Sequence, residues 1–600
     1  MINISYQKRK NLELFQSLEC YGFEKTQNYI PIYTKFFSLN ETNFNSININ
    51  HKWCITNVKN NDVDNKNLYE CSIKNSETNK SKNKTIFFKL APLIDPFKYL
   101  IGKYNHEDSK LYTLPLLDST LENCNSKFLD ANNCSYIDSF FSFLNNKLLH
   151  DHNFIHGVEF YGSFLSIKNN FTINIFDDLE YLNKSEYFIK NKNILFEVDD
   201  YNFIFEDGSD KKEKLPLINI DHSNSVKSNI SVKSIDESMF ENLFIDNVSS
   251  LDTLKNDTIN LIESNDIIVQ TNLTTTIRSG STCSSRSSYT DNNENNCCSS
   301  EEFSSDKEND NDNDNDNNDE NDNDSESENE NGCDNSCSDS NSESEEKINA
   351  TIPKFPVQII CMEQCENTFD DLIFNQELTN AEWYSALMQI IMILITYQKM
   401  FAFTHNDLHT NNVMYNKTEI PYIYYCYKKK YYKVPTFGRI FKIIDFGRSI
   451  YKFNGKIFCS DSFQQGGDAA TQYNTEPYFN SKKPRLEPNY SFDICRLACS
   501  IFDYLIEDLD AIKNLEECDP LVRLIVEWCL DDKGVNLLYK NDGSDRYPDF
   551  KLYKMISRCV HNHTPQAQLE RKEFSSFVIS KNKIKDSEKI MNIDEYPCYT

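Results

Sequence analysis

Hydrophobic and polar positions change their period several times along this chain. Residues 52–58, 68–74 and 85–90 are short runs rich in β-branched and aromatic residues, bounded by Asn and Asp turns, and predict three strands of an antiparallel meander. Within residues 136–149, Ile137, Phe140, Phe141, Leu144, Leu148 and Leu149 recur at helical spacing and predict a helix. Further strands are predicted at 158–167 and 357–362, and a long apolar helix at 381–400. The order is strands, one helix, strands, then mostly helices. It predicts an α+β fold with two segregated halves.

Between these halves the pattern stops. Residues 178–273 mix apolar and polar stretches, with a helix-like patch at 239–244, and predict no definite fold. Residues 274–346 run through S-T-C-S-S-R-S-S-Y-T, N-D-N-D-N-D-N-N-D-E and S-E-S-E-N-E. With almost no apolar side chains they cannot offset the entropy of ordering, and a disordered segment is expected. Ser340, Ser342 and Ser344 stand among acids and are candidate phosphorylation sites. Because the strands on either side can be sheet neighbours across any long linker, the segment is expected to be dispensable for folding.

Charge changes the picture next. Residues 301–346 hold 20 acidic residues and one lysine, so about −19 of the formal −30 lies there and about −11 everywhere else. Duplex nucleic acid and anionic membrane are poor partners for such a chain. The 20 cysteines are irregularly scattered, and M-I-N-I-S-Y-Q-K-R-K has no apolar signal core, so free thiols in a reducing, cytoplasmic compartment are expected. No apolar run approaches the roughly 18 residues of a membrane span.

The chemistry lies after the long helix. T-H-N-D-L-H-T-N-N-V-M-Y supplies a carboxylate, Asp407, and an amide, Asn412, on one loop, while F-K-I-I-D-F-G-R-S ends an apolar strand in a second carboxylate, Asp445. Phosphoryl transfer needs such parts: one carboxylate to orient a hydroxyl and take its proton, and a carboxylate with an amide oxygen to hold Mg²⁺ against nucleotide phosphates. The chain resembles the protein kinase superfamily, whose catalytic loop is H-R-D-L-x-x-x-N and whose metal site is D-F-G. The resemblance implies a two-lobed protein-kinase-like fold with a large, partly disordered insertion in the small lobe. It also implies ATP and Mg²⁺ as cofactors, Asp407 as the base, and Asn412 and Asp445 as Mg²⁺ ligands. Lys89, in T-I-F-F-K-L, matches the V-A-I-K lysine that pairs with the α- and β-phosphates. I-I-C-M-E-Q-C resembles the strand and hinge around adenine, so Met362 would border the pocket and Glu363 to Cys365 would offer backbone hydrogen bonds. S-F-D-I-C-R-L-A resembles the helix whose aspartate, here Asp493, ties down the catalytic loop. R-Y-P-D-F-K-L-Y-K would belong to the last helices of the large lobe.

The resemblance divides the chain into residues 1–177 of the small lobe, an insertion at 178–354, the last small-lobe strand and hinge at 355–365, the large lobe at 366–580 and a tail at 581–600. F-F-K-L-A-P-L-I-D-P-F-K-Y-L-I-G-K-Y and F-T-H-N-D-L-H-T-N-N-V-M-Y are most similar to kinase-like proteins of giant DNA viruses of amoebae, which implies the host cytoplasm or a virion.

Several positions depart from the pattern. The glycine-rich phosphate loop is missing: its place reads K-N-N-D-V-D-N-K, at 59–66, where Asp62 and Asp64 would put like charge near a triphosphate. Asn406 replaces the arginine before the aspartate, which removes a partner for a phosphorylated activation segment, and His409 stands where a basic residue is common. Asp138 is the acidic candidate to pair with Lys89, with a shorter side chain than the family's glutamate. Residues 421–435 read as an extra hairpin with a basic tip at Lys428, Lys429 and Lys430, a candidate docking surface for an acidic segment. The expected function is an ATP- and Mg²⁺-dependent protein kinase directed at Ser or Thr. The alternatives are a pseudokinase scaffold, from the missing glycines, and a small-molecule hydroxyl phosphotransferase, because H-N-D-L-H also resembles the loops of aminoglycoside and choline kinases.

Overall fold

In the computed structural model, which describes residues 2–62, 65–201 and 348–600, the largest sheet is assembled from segments far apart in sequence. Its order is Phe23–Gln27, Phe160–Asn174, Asn349–Glu363, Ser81–Pro92, Leu68–Asn75 and Trp53–Asn61, with Glu197–Val198 added against Asn349–Glu363. All these neighbours are antiparallel. The three-strand meander is therefore present, each strand running somewhat beyond its expected bounds. The strands on either side of the low-complexity segment are direct neighbours: Phe160 stands opposite Met362 and Asn174 opposite Asn349. The segment at 274–346, the patch at 239–244 and Asp64 lie outside the described residues.

Two stretches carry more structure than their sequence predicts. Residue 178 precedes two short helices, Leu179–Asn183 and Glu186–Asn191, and the strand expected from 357 begins at Asn349. Pro353 and Pro356 explain the second difference. Proline cannot donate to a ladder and reads as a strand breaker. Here both lie ahead of Val357, where pairing with Ser81–Pro92 begins, so one side of the strand needs no ladder donor from them.

Between Ser81–Pro92 and Phe160–Asn174 the chain forms the helix Cys134–Asp151, capped by the Asn133 side chain on Ser135 N. Ile137, Phe141, Phe143, Leu144 and Leu148 are fully buried on it. Burying each such side chain contributes about 1.5–3 kcal/mol. The long helix Asn380–Phe401 starts in a capping box of Thr379 and Glu382 and ends at Ala402, which adopts φ 48°. Apolar on nearly all sides, it runs through the interior of the helical half. Phe492–Leu505, Pro520–Trp528 and Lys551–Cys559 complete that half.

Smaller sheets sit beside it. Asn367–Thr368, Val413–Lys417 and Arg439–Ile443 make one of them. The extra hairpin is real: Tyr422–Tyr427 pairs with Lys430–Pro435 through a two-residue turn whose Lys428 and Lys429 both have positive φ. Its tip is engaged by the chain itself. Asp594 accepts from Lys428 N and Lys429 N, both at 2.8 Å, and Lys430 pairs with Glu570 at 3.0 Å. The stretch expected as a tail, 581–600, thus belongs to the fold, and Ile590–Asn592 adds to the hairpin as a parallel strand. The described cysteines are all free, and no helix among the described residues is long and apolar enough to cross a membrane.

Candidate functional site

Lys89 stands near the end of Ser81–Pro92, opposite Ile360. Its ammonium lies 2.6 Å from Asp138 Oδ2 and 2.9 Å from Asp445 Oδ1. A strand, a helix and the segment following Arg439–Ile443 thus converge on one cation. The second oxygen of Asp138 accepts from Phe446 N at 2.9 Å, so one carboxylate ties the lysine to the backbone beside Asp445. The helix that carries Asp138 is fastened at its N-terminus, where Cys134 N donates to Asp461 Oδ1 at 2.9 Å. Phe446 is buried against Phe141 and Phe403, with ring centroids 4.6 and 6.0 Å away. Asp445, at φ 63°, turns the other way with its side chain 45% exposed.

The electrostatics follow from that convergence. Burial alone would lower the Lys89 pKa, but Asp138 and Asp445 together outweigh it and raise it. Burial pushes Asp138 up against the pull of Lys89. For Asp445 burial also pushes up, but the charge and hydrogen bond of Lys89 win and bring it to about 2. Two carboxylates share one cation, and the more exposed of them remains ionised.

The loop carrying Asp407 is held from beneath. Asp493, fully buried on Phe492–Leu505, accepts from His405 N and Asn406 N, both at 2.9 Å, and so makes the anchor expected of it. Asn406 adopts φ 64°, donates from Nδ2 to the Arg448 carbonyl at 3.0 Å and accepts from the Tyr473 hydroxyl at 2.8 Å. Neutral hydrogen bonds from Asn406 thus fasten the segment that carries Arg448.

Asp407 is 8% exposed. Its Oδ1 accepts from the Tyr553 hydroxyl at 2.8 Å, and that hydroxyl accepts from Arg496 Nε at 3.0 Å. Its Oδ2 lies 3.9 Å from Arg448 Nη1. Asn412 donates from Nδ2 to the Asp407 carbonyl at 2.9 Å and to His409 Nε2 at 3.1 Å, which orients its Oδ1 as the oxygen available to a cation. Burial lowers His409 to about 4, so the ring is neutral at ordinary pH. Ile444 N donates to the Asn412 carbonyl at 3.0 Å, which sets Asn412 beside the strand end that delivers Asp445. The two are hard oxygen donors, few in number, as suits Mg²⁺, which keeps much of its shell for water and phosphate. No cluster of three or more metal-ligating His, Cys, Asp or Glu side chains occurs among the described residues.

The expected adenine-binding residues lie where the sheet meets this region. Met362 is 7% exposed between Phe87 and Phe160. Glu363 N donates to Glu159 O at 3.0 Å, and the Glu363 carboxylate pairs with Lys442, so this residue is engaged in joining the two halves. Cys365 is half-buried, and its thiol is pushed up to about 12 by burial and by Glu363. At the edges of the 59–66 stretch, Asp62 N donates to Leu68 O and Asn61 Nδ2 to Lys66 O, both at 2.9 Å.

Lys89, Asp407, Asn412 and Asp445, separated by up to several hundred residues, thus line one region, and Asp138 is the partner of Lys89. The sequence reading passed over Arg448, Arg496 and Tyr553. Arg448 had a local signal, since it directly follows D-F-G; Tyr553 had none, because its contact with Asp407 spans 146 residues. No protein-family model matches the chain, and no curated protein matches it in sequence.

Proposed function

We propose that this chain is an ATP- and Mg²⁺-dependent protein kinase acting on a Ser or Thr hydroxyl, with a two-lobed kinase-like fold. The observation that carries the reading is the convergence of Lys89, Asp138 and Asp445, with Asp138 also holding Phe446 N. A strand lysine paired with an acid on a neighbouring helix, beside a D-F-G aspartate, is the arrangement that orders nucleotide phosphates. The sheet order adds support: a three-strand meander, the helix Cys134–Asp151 after its third strand, and Asn349–Glu363 and then Phe160–Asn174 placed beside that third strand, with Phe23–Gln27 beyond them at the edge.

Each residue has a task in this reading. Lys89, positioned by Asp138, binds the α- and β-phosphates; Asp445 and Asn412 would hold Mg²⁺, which would supply neutralisation of phosphate charge. Asp407 Oδ2 takes the proton of the acceptor hydroxyl, since Oδ1 is occupied by Tyr553. Asp493 holds the loop in place through two backbone amides. Met362 and the backbone of Glu363 to Cys365 border adenine.

A second reading, a pseudokinase scaffold, draws on the glycine-free stretch at 59–66. Thermal unfolding with increasing ATP and Mg²⁺ separates the two, because a ligand at 100 times its Kd adds about 2.7 kcal/mol. The kinase reading expects a rising midpoint that is reduced in Asp445→Asn, together with transfer of label from ATP to protein. No shift at millimolar nucleotide and no transfer would sink it.

A further inference from the structure

We propose that Arg448 is the cation that meets the phosphoryl group in transfer; this rests on the kinase reading above and names a residue that reading leaves unused. Three other groups near Asp407 have their commitments. Lys89 is shared between Asp138 and Asp445. Arg496 is fully buried behind Tyr553 and donates Nε to its hydroxyl. His409, two positions after Asp407, accepts from Asn412 at Nε2 and so presents a lone pair there, not a proton.

Arg448 differs from all three. Its Nη1 is buried, has no hydrogen-bond partner, and stands 3.9 Å from Asp407 Oδ2, beyond hydrogen-bond reach. A buried guanidinium N–H without an acceptor is costly unless a ligand supplies one. Its backbone and side chain each have one contact: Asn406 Nδ2 donates to the Arg448 carbonyl at 3.0 Å, and the guanidinium lies 5.7 Å from the centre of the Tyr553 ring. An N–H fork beside the oxygen that receives the hydroxyl proton is complementary to phosphate oxygens.

In the step this predicts, the acceptor hydroxyl oxygen attacks the γ-phosphorus. The bond from that phosphorus to the β-phosphate oxygen breaks with its electron pair going to ADP. The hydroxyl proton passes to Asp407 Oδ2. Arg448 Nη1 donates to a non-bridging oxygen of the group in flight, where charge is spreading.

The test compares initial rates with labelled ATP, Mg²⁺ and generic acidic and basic proteins for wild type, Arg448→Met, Arg448→Ala, Arg448→Lys and Asp407→Asn. Arg448→Met is expected to lose about a hundredfold in kcat with the KM for ATP within about threefold, and Arg448→Lys about tenfold. Methylguanidinium is expected to restore part of the rate of Arg448→Ala and none of Asp407→Asn. A kcat for Arg448→Met within threefold of wild type, with Asp407→Asn inactive, overturns the proposal and leaves the kinase reading standing. Equal rates in wild type and Asp407→Asn remove that reading, and this proposal with it. Should Arg448→Met not fold, Arg448→Lys carries the test, and an unchanged kcat in it overturns the proposal.

Discussion

Replacing Asp138 by Asn keeps the shape of a side chain that is 2% exposed and removes its charge. The amide can still accept from Phe446 N, but toward Lys89 it offers either a weaker neutral acceptor or a donor facing a donor. Breaking a buried pair by deleting one partner costs about 3–5 kcal/mol. Two features reduce that here: Lys89 keeps Asp445 at 2.9 Å, and the desolvated Asp138 carboxylate is itself costly to bury. The charge-assisted hydrogen bond that disappears is then worth about 2 kcal/mol. Asp138→Ala also strands Phe446 N and should cost about 4 kcal/mol. Urea unfolding at pH 7 reads both, and a cycle with Lys89→Met should return a coupling near 2 kcal/mol. The folded pKa of Lys89 is raised, so the contribution is fully present below its unfolded value near 10.4 and is lost as pH rises through the folded value. Asp138→Asn should bring that loss to lower pH. A change in unfolding free energy below 0.5 kcal/mol, with no shift of the alkaline limb, would refute the reasoning.

Tyr553→Phe leaves Asp407 Oδ1 and Arg496 Nε without their shared hydroxyl and should cost about 1–3 kcal/mol, together with a fall in kcat, read by urea unfolding and by transfer rate. His156 is fully buried between the Phe441 carbonyl and the Tyr425 hydroxyl, and burial lowers its pKa to about 4. Its folded value is depressed, so it contributes stability above pH 6.5 that is lost as pH falls from 6.5 to 4, amounting to about 3 kcal/mol. His156→Gln should flatten that part of the pH profile of the urea midpoint, whereas an unchanged acid limb would count against the assignment. Deleting residues 274–346 shortens the connection between two strands already paired in one sheet, so the unfolding free energy should change by no more than the roughly 0.6 kcal/mol expected per halving of a loop and the thermal midpoint should stay nearly the same.

What the sequence disclosed and what it hid have physical causes. Strands 68–74 and 85–90 were legible because turns of Asn and Asp bracket them, and Lys89, Asp407, Asn412 and Asp445 because each sits in a short local pattern. The reach of Asp138 was not legible. It joins Asp138 to a lysine 49 positions away and to a backbone amide 308 positions away, and no local pattern reveals such contacts. Tyr553 is one aromatic residue in an amphipathic helix, and nothing local distinguishes packing from contact with a carboxylate. Tyr6–Lys8 and Leu12–Glu19 went unread because they are short and find their partners elsewhere in the chain. The part played by 581–600 was hidden for the same reason, since Asp594 acts on amides more than 160 positions away.

The most direct measurement is the initial rate of label transfer from ATP to protein by wild type, Asp407→Asn and Asp445→Asn, each first confirmed as folded by its unfolding midpoint. The account predicts Mg²⁺-dependent transfer by wild type and a loss of at least a hundredfold in both variants, because one removes the proton acceptor and the other a cation ligand. Equal incorporation in all three proteins, or none in wild type at millimolar ATP and Mg²⁺, would contradict it.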